Sequence, residues 1–354
     1  MRLARVCSKA AMARAWGSRH AIRMERKQMQ RRKLGELEVA AIGLGCATMT
    51  PFYSEPDPAA AIATLERAAE LGIDMLDTSD AYGRGRNEEL IARALKGRRD
   101  NYVIATKFGN MGRNPDGSAA GEGRPDYVRQ ACENSLARLA TDVIDLYYIH
   151  RVDPKVPIEE TVGAMSDLVR AGKVRSLGIS EAGVETIQRA YAVHPISAVQ
   201  IEYSLWSRDV ESTVLPLCRE LGIGFVSYSP LGRGFLTGTV GAPDDLGTND
   251  ARRNMPRFTG ENLQRNLDLV AELRRLASAE SCTPAQLAIA WVLSRGDYIV
   301  PIPGTSHRER LEENAAAADL TLSATTLAAL GEIFRPGAAA GPRYPEAYAR
   351  TLGI

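Results

Sequence analysis

Ile73-Asp74-Met75-Leu76-Asp77-Thr78-Ser79-Asp80-Ala81-Tyr82-Gly83 is the stretch that decides how the chain folds. Its first residues are mostly apolar and strand-like, and the run stops at polar residues. A tyrosine and a glycine follow, and Asn87-Glu88-Glu89 then opens a helical pattern. A carboxylate and a phenol five positions apart, at the end of a buried strand, stand where working groups stand. Two later segments also stop on a reactive residue: Tyr102-Val103-Ile104-Ala105-Thr106-Lys107 and Asp145-Leu146-Tyr147-Tyr148-Ile149-His150. If neighbouring strands run parallel, Asp77, Tyr82, Lys107 and His150 meet at one rim.

Outward from that stretch a module repeats: a helix ends at a glycine, a short apolar strand follows, and the strand stops on Ser or Thr. It is seen at Gly72 with Ile73 to Ser79, at Gly172 with Lys173 to Ser180, and at Gly222 with Ile223 to Ser229. Glycine suits each helix end because the chain must turn left-handed there. Ile158, Val162, Met165, Leu168 and Val169 form the apolar face of the helix before Gly172, with Pro157 and Glu159-Glu160 at its start. Strand-like segments fall near 41–46, 73–77, 102–107, 143–149, 174–180, 196–201, 223–229 and 298–302, most of them separated by helical patterns. Eight alternations predict an α/β fold, a (β/α)₈ barrel with its active site at the C-terminal strand ends. An open doubly wound sheet is the alternative, but so many strands ending on polar residues suit a closed ring better.

Lys33 to Leu37 holds a Leu-Gly-Glu turn and reads as an N-terminal hairpin. Gly43-Leu44-Gly45 invites a dinucleotide-fingerprint reading, which fails because such a fingerprint must open directly into a helix. Here Pro51 and Pro56 intervene, and the helix begins only near Asp57-Pro58. Two long loops, 109–124 and 232–262, are rich in Gly, Pro, Asn and Asp and follow strand ends, which predicts lids at the C-terminal rim.

Composition excludes several classes. The 354 residues are 45% hydrophobic and 25% charged, ordinary for a soluble globular protein. No apolar run reaches the roughly 18 residues of a membrane span. The net charge of +1 hides a split: residues 1–33 carry +10, and the rest carries 33 basic against 42 acidic residues. The mildly acidic body gives no support to a nucleic-acid partner. Residues 1–30 are therefore expected to be a basic, disordered tail, and 31–354 a single barrel domain. A targeting presequence or an upstream start before Met29 would each explain that tail. Cys7, Cys46, Cys132, Cys218 and Cys282 form no C-x-x-C pair, so reduced thiols in a cytoplasmic protein are expected. The four isolated histidines give no zinc spacing, and no metal is expected.

Each of the four rim residues has a blander reading alone: a turn cap, a rim aromatic, a solvated lysine, a structural histidine. Together they make chemistry. A tyrosine titrates near 10, and an ammonium about 4 Å away is worth up to roughly 4 kcal/mol at an effective dielectric of 20. Lys107 beside Tyr82 would lower its pKa, Asp77 would hold Lys107, and His150 would orient a carbonyl or pass on a proton. Such a site protonates an oxygen while something else attacks the attached carbon.

These residues resemble the aldo-keto reductases. Asp77-Thr78-Ser79-Asp80-Ala81-Tyr82-Gly83, Ala105-Thr106-Lys107 and Tyr148-Ile149-His150 look like that family's Asp–Tyr–Lys–His tetrad, in order and strand context. The resemblance runs from about 31 to 336 and takes in Gly178-Ile179-Ser180, Gln200-Ile201-Glu202-Tyr203-Ser204-Leu205, Ser227-Tyr228-Ser229-Pro230-Leu231-Gly232 and Ile302-Pro303-Gly304-Thr305. It implies a barrel that binds NADPH without a Rossmann fold and reduces an aldehyde or ketone to an alcohol, with Tyr82 as the acid. It places Ser180 and Gln200 at the nicotinamide carboxamide and Tyr228 against the nicotinamide face. Ser229, Leu231, Gly232 and Gly234 would lie along the pyrophosphate. Gly304, Thr305, Ser306 and Arg310 would surround the adenosine phosphate, and Glu313 and Asn314 the adenine. Glu181 stands where many members carry Asn, and Gly304 where some carry Lys. Phe52, Tyr53 and Trp206 are candidate pocket walls. Two rivals are a Schiff-base aldolase using Lys107 and a cofactor-binding sensor resembling the potassium-channel β subunits.

Overall fold

The computed structural model describes residues 29–51, 56–110, 112–113, 119–120, 122–242, 245–248, 250–349 and 352. The expectations for residues 1–28 and for Phe52 and Tyr53 lie outside them. The hairpin forms as read, with β1 (Arg31–Leu34) antiparallel to β2 (Leu37–Ala40). Met29 is buried, and the Gln30 carbonyl accepts from Ala41 N at 2.7 Å.

All eight expected barrel strands are present within a few residues. They are β3 (Leu44–Gly45), β4 (Met75–Asp77), β5 (Val103–Phe108), β8 (Ile144–Ile149), β9 (Val174–Ser180), β10 (Ile196–Glu202), β11 (Gly224–Tyr228) and β12 (Ile299–Ile302). They pair in parallel in the order β12-β11-β10-β9-β8-β5-β4-β3. The open-sheet alternative fails at the seam, where Gly43 N donates to Pro301 O at 3.0 Å and Gly45 bridges Gly304 in parallel. A Cβ on Gly45 would lie 2.8 Å from the Ile302 carbonyl oxygen, so closure requires glycine there.

Helices between the strands include α1 (Pro58–Glu70), α2 (Arg86–Ala94), α3 (Pro125–Leu139), α4 (Ile158–Arg170), α5 (Val184–Val193) and α6 (Val214–Leu221). They continue with α7 (Gly260–Ala279), α8 (Pro284–Ser294), α9 (Arg308–Ala316), α10 (Ala324–Ile333) and the short α11 (Glu346–Ala349). Asp57 caps α1 by accepting from Ala59 N at 2.9 Å. Gly72, Gly172 and Gly222 have φ of 81°, 73° and 67°, the left-handed turn that the repeating module demanded. Pro157 sits just ahead of α4 rather than in its first turn. The 109–124 loop contains a second hairpin, β6 (Gly112–Arg113) with β7 (Ala119–Ala120). Among the described residues no helix is long and apolar enough to cross a membrane.

The core divides by the sheet. Inside the barrel, Leu34, Met75, Ala105, Leu146, Tyr148, Ala198, Val226 and Val300 pack together. Leu34 brings the hairpin into this cluster, where a Cβ on Gly224 would lie 2.4 Å from the Leu34 side chain. Outside, the helices cover the sheet with one continuous apolar layer. The barrel is therefore filled from below, and the strand C-termini are left to carry chemistry.

Candidate active site

The parallel register sets the C-terminal ends of β4, β5 and β8 side by side, Asp77 opposite Ala105 and Lys107 opposite Tyr148. Lys107 and Asp77 are buried and joined through Nζ and Oδ1. Nζ also donates to Thr78 O at 2.7 Å and lies 5.2 Å from the centre of the Tyr82 ring. The second oxygen of Asp77 accepts from Gln200 Nε2 at 2.7 Å. Burial is the largest influence on Lys107 and would discharge it, yet Asp77 and Tyr82 together outweigh burial and lift the lysine pKa above its ordinary value. Burial pushes Asp77 upward against the pull of Lys107 and Gln200.

His150 joins them from the end of β8. Its Nδ1 lies 3.0 Å from Ser79 Oγ, and its ring meets Tyr82 edge-on at 5.9 Å. Asp77, Tyr82, Lys107 and His150 thus converge at one rim. One electrostatic expectation reverses: burial raises the Tyr82 pKa, and Lys107 and Arg151 only offset it in part. Tyr82 is therefore a firmly protonated phenol with a cation beside it.

The loop carrying Tyr82 is pinned from below. Thr78 Oγ1 donates to Asn87 Oδ1 at 2.7 Å, and Asn87 Nδ2 donates to Cys46 O at 2.8 Å. Glu88 accepts from Thr106 Oγ1 and Arg138 Nε, both at 2.6 Å. Asp80 is buried in the same loop, and its carboxyl is pushed up to about 7, first by burial and then by Glu88, with Ser79 and Arg138 pulling the other way. Because the folded pKa exceeds the unfolded one, the neutral acid is favoured in the fold. Stability is then lost as pH rises from about 4 through 7. Asp80→Asn is expected to raise Tm at pH 8 and leave it nearly unchanged at pH 4; equal shifts at both would show that titration of Asp80 plays no part.

The segments assigned to a cofactor line the opposite arc. Ser180 is buried at the end of β9, beside Gln200 on β10. Tyr228 ends β11, and Ser229, Gly232 and Gly234 after it have φ of 48°, 56° and 88°. Arg233 between the two glycines is left-handed as well, and the turn closes on its own backbone, Gly232 N donating to Ser229 O at 2.9 Å and Gly234 N to Leu231 O at 3.0 Å. Leu231 and Gly232 lie in that turn, where a Cβ on Gly232 would strike the Trp206 indole at 2.5 Å. Gly304 and Arg310 are exposed, Thr305 and Asn314 buried, and Ser306 and Glu313 intermediate. Trp206 is a buried wall residue, tilted against Phe235 at 4.8 Å and edge-on to Phe258 at 6.3 Å.

What the sequence reading missed lies beyond residue 336. The C-terminal segment crosses the mouth, held by Asn266 Nδ2 to Ala340 O at 3.0 Å and Ala340 N to Asn266 Oδ1 at 2.8 Å. Arg343 grips Glu181 through Nη2–Oε2 at 3.0 Å and Nη1–Oε1 at 3.3 Å. Tyr228 donates its hydroxyl to Glu181 Oε1 at 2.7 Å and lies 3.1 Å from the Tyr344 hydroxyl. Glu181, in a left-handed conformation at φ 53°, therefore links strand β9, the Tyr228 ring and the C-terminal segment. A 490 Å³ cavity lies beneath this segment, lined by Trp206, Arg257, Arg343 and Tyr344 among others; none of the four convergent residues borders it.

A closed parallel barrel with a buried Lys–Asp pair, a phenol and a histidine at its C-terminal rim defines a class of barrel oxidoreductases. Residues 41–335 match the model of the aldo/keto reductase family. The chain is 48% identical over 326 residues to a Glycine max protein named "Probable aldo-keto reductase 1", covering 91% of this chain and 93% of that protein. Among solved structures it resembles a glycerol dehydrogenase from Gluconobacter oxydans at TM-score 0.78 and 26% identity, over 92% of this chain and 96% of that one. It also resembles an aldo/keto reductase from Klebsiella pneumoniae, solved with NADP and acetate, at TM-score 0.69 and 28% identity over 90% and 99%. The chain belongs to the aldo/keto reductase family and is an oxidoreductase of that family.

Proposed function

We propose that this protein reduces an aldehyde or ketone to an alcohol with NADPH, Tyr82 being the general acid. The observation that carries the reading is the buried Lys107, tied to Asp77 and set beside the Tyr82 ring. The Lys107 charge favours the phenolate left when Tyr82 gives up its proton, so it stabilises the transition state. His150, oriented by Ser79 through Nδ1, turns its other nitrogen edge away from that hydroxyl and would steer the carbonyl oxygen towards Tyr82. When bound, the cofactor supplies a hydride to the carbonyl carbon. An aldo-keto reductase from Klebsiella pneumoniae solved in complex with NADPH resembles this chain at TM-score 0.70, which supports that choice of cofactor.

The residues here suit NADPH. Thr48 Oγ1 is buried with no partner among the described residues and would lie 3.8 Å from a Cβ on Gly304. Arg310 is exposed near the start of α9, where its guanidinium would offer a fork to a phosphate. Ser180 and Gln200 would hold the nicotinamide carboxamide, and Tyr228 would stack on the ring. Ser229, Leu231, Gly232 and Gly234 would follow the pyrophosphate. Gly304, Thr305, Ser306 and Arg310 would take the adenosine phosphate, and Glu313 and Asn314 the adenine.

Arg310→Ala is expected to weaken NADPH binding by roughly 1.5–3 kcal/mol and to leave NADH nearly unchanged. Titration of both cofactors against both proteins decides it. Equal losses would remove Arg310 from the phosphate site. Turnover of a panel of aldehydes and ketones by the wild-type protein tests the activity itself.

A further inference from the structure

Arg151 follows His150 directly and is 5% exposed. Its Nη1 donates to His150 O at 2.6 Å, and its Nη2 reaches the Tyr348 hydroxyl only at 3.3 Å. Among the described residues its buried Nε has no hydrogen-bond partner. The other guanidiniums of the mouth are matched: Arg343 with Glu181, Arg233 with Glu202, Arg252 with Asp250. Among the described residues Arg151 has no such carboxylate, and Glu181, whose field it feels, is already taken by Arg343. A buried cation without a counter-ion is costly, and the cost is relieved when an anion arrives.

The edge held only by Tyr348 has a shape. Nε and Nη2 present two parallel N–H groups, the fork that takes both oxygens of a carboxylate. A neutral phenol at 3.3 Å is a poor occupant, since charge-assisted bonds run nearer about 2.7–2.9 Å. Strand order says whose anion it is. Arg151 follows β8, next to β5, which carries Lys107 near its end. The proposed phosphate segments follow β11 and β12, three and four places along the sheet. Arg151 therefore stands beside His150 and away from the proposed phosphate segments; Tyr82 feels its charge, and its guanidinium in turn feels Tyr348, Tyr228, Tyr344 and Glu181 at the mouth. One unmatched positive charge suits a monoanion better than a phosphate dianion.

We propose that Arg151 is the anion-binding group of the substrate site, and that the protein's carbonyl substrates carry a carboxylate a short chain away from the carbonyl carbon. This rests on the reductase reading above and adds the substrate class. Tyr348 holds the fork until a carboxylate displaces it.

The test compares 4-oxobutanoate with its methyl ester, in the wild type and in Arg151→Met and Arg151→Lys. The wild-type kcat/KM should favour the acid by about tenfold or more. The ratio should fall close to one in Arg151→Met and be partly kept in Arg151→Lys; being a ratio within each variant, it is insensitive to general damage. Separately, the product 4-hydroxybutanoate should raise Tm of the wild type and not of Arg151→Met, while 4-hydroxybutanamide should raise neither. Equal use of acid and ester by the wild type, or an acid preference that survives in Arg151→Met, overturns the proposal. A Tm response to the acid that depends on Arg151, without turnover of any carbonyl, would uphold the anion site and sink the reductase reading instead.

Discussion

Replacing Tyr82 by Phe is expected to lower kcat for carbonyl reduction by about 10²–10⁴-fold, the usual worth of a placed acid or base, while NADPH still binds. The ring would still meet His150 edge-on and lie beside Lys107, so little but the acidic hydroxyl is removed. The loss should fall on kcat, because the proton is delivered in the transition state and contributes little to ground-state binding. The structure sharpens this expectation. Burial holds the Tyr82 proton tightly, so the phenol is a poor acid until negative charge develops on the substrate oxygen beside it. Lys107 then has most to contribute. A variant within a few-fold of wild type would remove Tyr82 from the proton transfer.

Lys107→Met should have the second large effect, in stability as well as rate. Lys107 and Asp77 are both buried, so removing the cation strands a carboxylate that still accepts from Gln200 but has lost its counter-charge. Breaking a buried pair on one side typically costs about 3–5 kcal/mol. Asp77→Asn combined with Lys107→Met should recover much of that loss, since the amide carbonyl still accepts from Gln200 and no charge is stranded. The double variant should nevertheless stay inactive, because nothing then favours the phenolate. Denaturant unfolding of both variants separates the two contributions. Equal destabilisation in single and double variants would show that the stranded carboxylate is not the cause.

Most of the barrel was legible because its grammar is local. Gly72, Gly172 and Gly222 mark helix ends by a backbone need that only glycine meets cheaply, and the strands after them are short apolar runs. The four rim residues were legible for a related reason: each lies at or just past a strand end, and parallel pairing aligns strand ends. Closure was less visible, since Gly45 against Gly304 is a contact between the two ends of the barrel. The mouth was hardest to read. Arg343, Tyr344 and Tyr348 lie in a stretch with no helical or strand period, and their partners Glu181, Tyr228 and Arg151 are far away in sequence. Arg151 did carry the signal that singled out Lys107, a charge at the end of a buried strand, but His150 before it drew the reading. The Tyr82 pKa went the other way because charge proximity can be guessed from sequence, whereas burial depends on everything packed around the phenol.

The central claim is that this rim passes a hydride from NADPH to a carbonyl carbon while Tyr82 supplies the proton. The most direct measurement follows the label. NADPH carrying deuterium on one face of C4, and in a second reaction on the other face, is supplied with an aldehyde, and the alcohols are analysed by mass spectrometry and NMR, for the wild type and Tyr82→Phe. The account predicts deuterium on the former carbonyl carbon from one face only, a hydroxyl proton from the medium, and almost no labelled alcohol from Tyr82→Phe. Alcohol without transferred deuterium in both reactions, or labelled alcohol formed at a wild-type rate by Tyr82→Phe, would contradict it.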